Sequence, residues 1–179
     1  MEIDWIRPSS KQWIESLLDK YKLDLFVGSV HHVHGVPIDY NDELYNKARS
    51  VSSERDVELS ARGEELLFAD YFETQYEMLQ ALRPPIVGHF DLIRLKSTNP
   101  DGSLRIYSRV WRKVLRNLRF IVEYGGVLEI NTAAWKKGLK EAYPNTEVAN
   151  VSLYFTSLRA LVLNIVDICS DGWRIHLLR

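Results

Sequence analysis

Pro84-Pro85-Ile86-Val87-Gly88-His89-Phe90-Asp91 is the stretch on which the fold turns. The two prolines end the pattern before them, because neither can donate a helical hydrogen bond. A short apolar run follows, and it gives way to a histidine and then a carboxylate. A buried parallel strand whose carboxyl end opens on a polar site reads this way. The same order recurs on either side. Asp24-Leu25-Phe26-Val27-Gly28-Ser29-Val30 is apolar with a β-branched end, and His31-His32 closes it, with His34 just beyond. Val127-Leu128-Glu129-Ile130-Asn131 is a third strand, with Glu129 and Asn131 as its polar groups.

Helical patterns separate these strands. After Pro8-Ser9-Ser10, residues Trp13, Ile14, Leu17, Leu18 and Tyr21 recur at the spacing of one helix face. A polar loop holding Gly35, Pro37 and Asn41 leads into a polar stretch from Ser50 to Glu58. A long helix is predicted from about Ser60 to Leu82, with Phe68, Phe72, Leu79 and Leu82 inward and Glu64 and Glu65 in its first turn. Asn99-Pro100-Asp101-Gly102 signals a turn. Val110, Trp111, Val114, Leu115, Leu118, Ile121 and Val122 mark the third helix, which Gly125-Gly126 closes. Helix and strand alternate three times, which predicts an α/β fold with parallel strands and right-handed crossovers. No internal repeat and no second domain is visible.

The chain has 179 residues, the size of one ordinary domain. Apolar residues make up 46% and charged residues 26%, which excludes a disordered tail, a collagenous chain and a low-complexity linker. The 23 Lys and Arg against 24 Asp and Glu leave a net charge of -1, so no broad field gathers nucleic acid or an anionic membrane. The single cysteine, Cys169, cannot form an internal disulfide, and the chain reads as cytoplasmic. Met1-Glu2-Ile3-Asp4-Trp5 has no secretory character. The longest apolar run, Val151 to Ile168, is interrupted by Arg159, Asn164 and Asp167, so no membrane anchor is expected.

In barrel and doubly wound α/β folds the carboxyl ends of parallel strands converge on the active site. Histidines there sit where metal ligands or acid-base groups are useful, and neutral imidazole suits zinc, iron or manganese. Each signal also has a plainer reading. His31, His32 and His34 read equally as solvated loop residues, His89 as a structural histidine, and Glu129 as a hydrogen-bond partner of a neighbouring loop. Two histidine-bearing strand ends in one parallel sheet shift the balance toward a metal site.

At these residues the chain resembles a known family. Gly28-Ser29-Val30-His31-His32-Val33-His34-Gly35-Val36-Pro37-Ile38-Asp39 resembles a metal-binding segment of the histidinol-phosphate phosphatases of the polymerase-and-histidinol-phosphatase (PHP) superfamily. Pro84 to Leu95 resembles the next such segment. Leu128 to Thr132, Lys136 to Glu141 and Tyr143-Pro144 resemble the strand and loop that follow it. Glu2-Ile3-Asp4-Trp5-Ile6 resembles the short strand whose leading glutamate bridges metals. The match is collinear over about residues 1–150.

The resemblance implies a partial distorted (β/α)7 barrel, TIM-barrel-like. It implies hydrolysis of L-histidinol phosphate to L-histidinol and phosphate, a step of L-histidine biosynthesis, by metal-activated water. The cofactors would be divalent ions (Zn, Mn or Fe), two or three in a complete family member. By position, Glu2, His31 and His89 are the metal ligands, and Lys136 sits where the family has a phosphate-binding arginine. Lysine there keeps the charge but loses the two-pronged geometry. Asp39, Asp91 and His32 fall outside the ligand set as supporting groups. The partner is a small-molecule substrate, with no nucleic acid and no membrane.

The departures from the family are specific. Its His-x-His pair and Thr-Glu-His-like segment belong upstream of Glu2, where only Met1 stands. Its Ser-Asp-Asp-Ser-His-like segment is missing, and His176 has neither its spacing nor its neighbours. The chain is therefore expected to be truncated at both ends and impaired as an enzyme. Residues 151–179 are expected to be an atypical tail, a translated intron joined to an out-of-frame exon. The alternative reading is a non-catalytic PHP-like fragment that binds metal or a protein partner.

Overall fold

A computed structural model describes residues 1–23, 25–55, 62–157, 163–169 and 172–178. Asp24, the end of the polar stretch at Glu58 and the helix start at Ser60 lie outside the described residues. So do the side chains of Arg159, Asn164, Asp167, Cys169 and His176.

Three residues, Glu2–Asp4, form β1, and α1 follows over Ser10–Tyr21. Next come β2 (Val27–Ser29) and an antiparallel hairpin of β3 (His32–Val33) and β4 (Val36–Pro37). Two helices follow, α2 (Asp42–Arg55) and α3 (Gly63–Leu82), and then β5 (Ile86–Val87). Short 3-10 turns at Leu92–Lys96 and Leu104–Ile106 lead to α4 (Ser108–Tyr124) and β6 (Val127–Asn131). The chain continues with α5 (Ala133–Lys136), α6 (Thr146–Ser157), β7 (Leu163–Cys169) and β8 (Gly172–Leu178).

The main sheet runs β1-β2-β5-β6-β7-β8. Pairing is parallel from β1 to β7, as the alternation of helix and strand predicts, and β8 returns antiparallel to β7. The sheet stays open, with β1 and β8 at its two ends among the described residues. Register sets the site: Asp4 lies beside Ser29, and Gly28 beside Val87. The ladder runs on past the strands, as Trp5 N–H donates to Ser29 O (2.8 Å) and Gly88 N–H to Gly28 O (3.0 Å). Side by side, β1, β2 and β5 therefore end at nearly the same level. Among the described residues no helix is long and apolar enough to cross a membrane.

A main core holds these elements, with a second, smaller cluster of Val27, Ile86 and Val127. Phe68, Tyr71, Phe72, Met78 and Leu79 of α3 are buried in the main core, together with Val110, Val114, Leu118 and Ile121 of α4. Phe72 lies 5.6 Å from the ring of Phe90, which joins α3 to the chain just after β5. A buried polar bridge runs through the same contact. Asn117 Nδ2 donates to Phe72 O (2.7 Å) and to Gln75 Oε1 (3.0 Å), and Gln75 Nε2 donates to Phe90 O (2.8 Å). Arg83 takes a left-handed conformation after α3, and Pro84-Pro85 keeps the chain from turning helical again. Gly125 ends α4 at φ 82° in the same way.

Three elements differ from the sequence expectation. The segment expected to be loop and polar stretch is helix α2, capped where Asn41 Oδ1 accepts from Leu44 N–H at 2.8 Å. Its buried face is Tyr45, Ala48 and Ser52, too small and polar to stand out as a stripe. The β3–β4 hairpin was also expected to be loop, and its strands are two residues each. On α1 only Ile14 is buried, while Trp13 and Tyr21, expected on the inner face, are 65% and 57% exposed.

Candidate metal centre

Glu2 starts β1, His31 follows β2, and His89 follows β5. Each side chain offers one donor atom, and the three atoms lie within 4.8 Å of one another. Glu2 Oε1 is 3.1 Å from His89 Nε2 and 3.8 Å from His31 Nε2. The two imidazole rings meet edge to face, 4.6 Å between centroids. Glu2 is half exposed, His31 partly covered and His89 buried, so the cluster opens to solvent on the carboxylate side. Two imidazole nitrogens and a carboxylate oxygen are a donor set suited to a divalent ion such as zinc, manganese or iron. These are the residues that could hold one.

The electrostatics match that geometry. The hydrogen bond with His89 holds the Glu2 carboxyl down at about 2, against a smaller upward push from burial, with Ser29 and His31 adding to the fall. Glu2 is thus an anion at any physiological pH. Burial opposes a charge on His31, yet the Asp4 carboxylate beside it, then Asp39 and Glu2, raise its pKa above the ordinary imidazole value. Burial likewise pushes against ionised Asp4, and contacts with His31 and His32 outweigh it and hold its carboxyl low.

The backbone around the histidines is fixed. Glu129, 3% exposed, accepts the His89 N–H at 2.7 Å and the Asn131 side-chain amide at 3.2 Å. The plainer sequence reading of Glu129, a hydrogen-bond partner of a neighbouring loop, describes what it does. Gly88 sits where a Cβ would meet Ser29 Oγ and, at 2.8 Å, Val27 Cγ1. Alanine at 88 is expected to push β5 from β2 and to cost about 1–3 kcal/mol, the usual price of overpacking. Urea denaturation of Gly88→Ala measures it.

The remaining residues singled out from sequence fall into different places. Asp91 does not face the cluster. It is fully buried, with Oδ2 accepting from Arg94 Nε at 2.7 Å and from Asn145 N–H at 3.0 Å. His32 Nδ1 lies 2.9 Å from Asp4 Oδ2 without the alignment of a hydrogen bond. Asp39 is partly buried and acts on His31 through its field. Lys136 is exposed at the end of α5, with no ion-pair partner among the described residues.

His34 stands apart from the other histidines. Its left-handed backbone (φ 54°) and Gly35 (φ 74°) turn the hairpin, and the His34 ring contacts Asp70 of α3 at 2.8 Å and Ser52 of α2 at 3.3 Å. Burial alone would raise the Asp70 carboxyl, but the bonds from His34 and Ser52 outweigh it and hold the group below the usual carboxylate range. A depressed pKa in the folded state adds stability above the unfolded value and loses it as pH falls. The stability gap between wild type and Asp70→Asn is therefore expected to be full near neutrality and to shrink below about pH 4. Urea denaturation across that range reads it.

The sequence reading passed over Asp4, which touches both His31 and His32. The signal was present: Glu2 and Asp4 are two apart on one strand, and alternate strand residues share a face.

The PHP domain family model matches residues 1–133. A Schizosaccharomyces pombe protein described as a probable histidinol-phosphatase is 44% identical over 146 residues, 80% of this chain and 44% of that protein. The histidinol-phosphatase of Saccharomyces cerevisiae is 38% identical over 150 residues, 72% of this chain and 42% of its own length. The chain spans less than half the length of these two relatives. A crystal structure of a Listeria monocytogenes protein, named for histidinol phosphatase, has a TM-score of 0.70 and 21% identity. It covers 87% of this chain and 58% of that one, and this likeness concerns the fold. Strand ends that gather two histidines and a glutamate, and a family match over most of the length, make this chain a member of the PHP domain family.

Proposed function

We propose that this chain is part of a cytoplasmic, metal-dependent histidinol-phosphatase, which releases phosphate from L-histidinol phosphate in L-histidine biosynthesis. The observation that carries the proposal is the convergence of Glu2, His31 and His89 in a chain so similar to two yeast proteins of that name. In this reading residues 1–150 carry the phosphatase fold and 151–179 are a tail atypical of the family in sequence, although α6 spans that boundary and packs Val151 and Phe155 against the core. Glu2, His31 and His89 would hold a divalent ion (zinc, manganese or iron), which would supply activation of bound water and neutralisation of phosphoryl charge.

The chain's own groups divide the remaining work. Glu2 supplies a permanent negative charge at the open side of the cluster. His31 and His89 supply nitrogen donors from the ends of two neighbouring strands. Glu129 keeps the His89 backbone in place. Lys136 offers a point charge for the substrate's phosphate as that end of α5 meets solvent.

The test is phosphate release from L-histidinol phosphate by the purified chain, with zinc or manganese added after chelation. Slow turnover, below the roughly 1 per second at the low end of ordinary enzymes, is expected, selective for this ester and abolished by chelator. Phosphate release indifferent to chelator, or no preference over a simple aryl phosphate, overturns the proposal.

A further inference from the structure

We infer that Asp4 is a positioning residue: its carboxylate holds His31 with the Nδ1 atom protonated and so turns His31 Nε2 toward the metal. The inference rests on the metal reading above and concerns a group outside the ligand set. On β1 the side chains alternate, so Ile3 enters the core while Glu2 and Asp4 share the other face. One three-residue strand thus provides a ligand and, two residues on, a carboxylate beside the next ligand. The register of Asp4 with Ser29 brings that carboxylate level with the end of β2, where the chain turns into His31 and His32.

The contacts are mutual. Asp4 Oδ1 accepts the His31 backbone N–H at 3.1 Å and lies 3.3 Å from His31 Nδ1. Oδ2 lies 2.9 Å from His32 Nδ1. An ionised carboxylate only accepts, so the His31 Nδ1 that faces it, on a backbone already donating to the same oxygen, carries the proton. A neutral imidazole has one N–H, which leaves the Nε2 lone pair of His31 free on the side of Glu2. No other partner of His31 Nδ1 occurs among the described residues. Because the His31 ring abuts that of His89, a ring released from Asp4 would disturb both donors.

The experiment uses the full 179-residue chain, labelled with nitrogen-15 and free of metal. Long-range proton–nitrogen correlation, at a pH where the rings are neutral, reads the tautomers of His31 and His32. His31 is expected as Nδ1–H in the wild type and as a mixture in Asp4→Asn, with His32 as the internal comparison. Zinc affinity of D4N, by calorimetry, is expected to fall about 10–100-fold, the usual effect of losing a carboxylate behind a ligating histidine. A purely structural role would lower the melting temperature and leave the tautomers alone. If D4N fails to fold, the wild-type tautomers still decide, and His31 found as Nε2–H overturns the inference. Saturable zinc binding with D4N equal to wild type overturns this inference alone. Absence of saturable binding in the wild type overturns the metal reading and this inference together.

Discussion

Arg94→Met is expected to cost about 3–5 kcal/mol of folding stability, the range for removing one partner of a buried ion pair. For a chain of this length that is a fall of roughly 10 °C in melting temperature. Arg94 is 1% exposed and Asp91 is fully buried. Beyond its bond to Asp91, Arg94 donates to Pro100 O at 2.6 Å and to Ala142 O at 3.2 Å, and lies over the Tyr143 ring at 5.6 Å. Asp91 in turn receives the Asn145 N–H. The pair therefore ties the turn after β5 to the loop before α4 and to the segment between α5 and α6. Methionine fills much of the volume but leaves Asp91 an unpaired buried charge and two carbonyls without donors. The double variant Asp91→Leu with Arg94→Met is expected to recover part of the loss. Lys96→Ala is the contrast: its ion pair with Asp42 is largely in solvent, and its loss is expected to cost at most about 1 kcal/mol. Calorimetry on the four proteins reads the difference. Equal melting temperatures for wild type and R94M would show the cluster to be dispensable.

The largest effect on metal binding is expected from His89→Ala. Of the three donors, His89 is the most deeply buried and the one in direct hydrogen-bond contact with Glu2. Without it Glu2 and His31 are a two-donor set, 3.8 Å apart and partly exposed. The fall in zinc affinity should exceed the 10–100-fold typical of outer groups, so more than about 100-fold is expected by titration calorimetry. Phosphate release should vanish with it. Circular dichroism separates loss of the ligand from loss of the fold, since the ring also packs on Tyr143. Unchanged zinc affinity in a folded H89A would remove His89 from the ligand set.

Several of these features were legible in the sequence, and the physics says why. The apolar period of α4 and the β-branched run of β6 are long, so their patterns rise above noise. Strand ends at His31 and His89 follow from glycine, polar groups and prolines in a fixed order. Glu2 was reached only through resemblance, because a lone acid near a chain start carries no pattern. Helix α2 was missed because α3 covers it along a face of one tyrosine, an alanine and a serine. His34 looked like part of the histidine run, but two successive left-handed residues send its ring to α3. Arg94 drew no reading of its own from the sequence. Its burial follows from Asp91 three residues earlier and from loops remote in sequence, which no local pattern records.

Among the described residues β1 pairs only with β2, so its outer backbone groups form a sheet edge. An open edge is a template on which a second chain can grow, and natural sheets defend such edges with charge. Here the charges are Glu2 and Asp4, two of the three residues of the strand. Wherever that edge stays uncovered, the same side chains that gather the histidines would set like charge against like charge between two copies. Neutralising both, by substitution or by acid, is expected to make an uncovered β1 edge prone to pair with a second copy, which light scattering against the wild type would read.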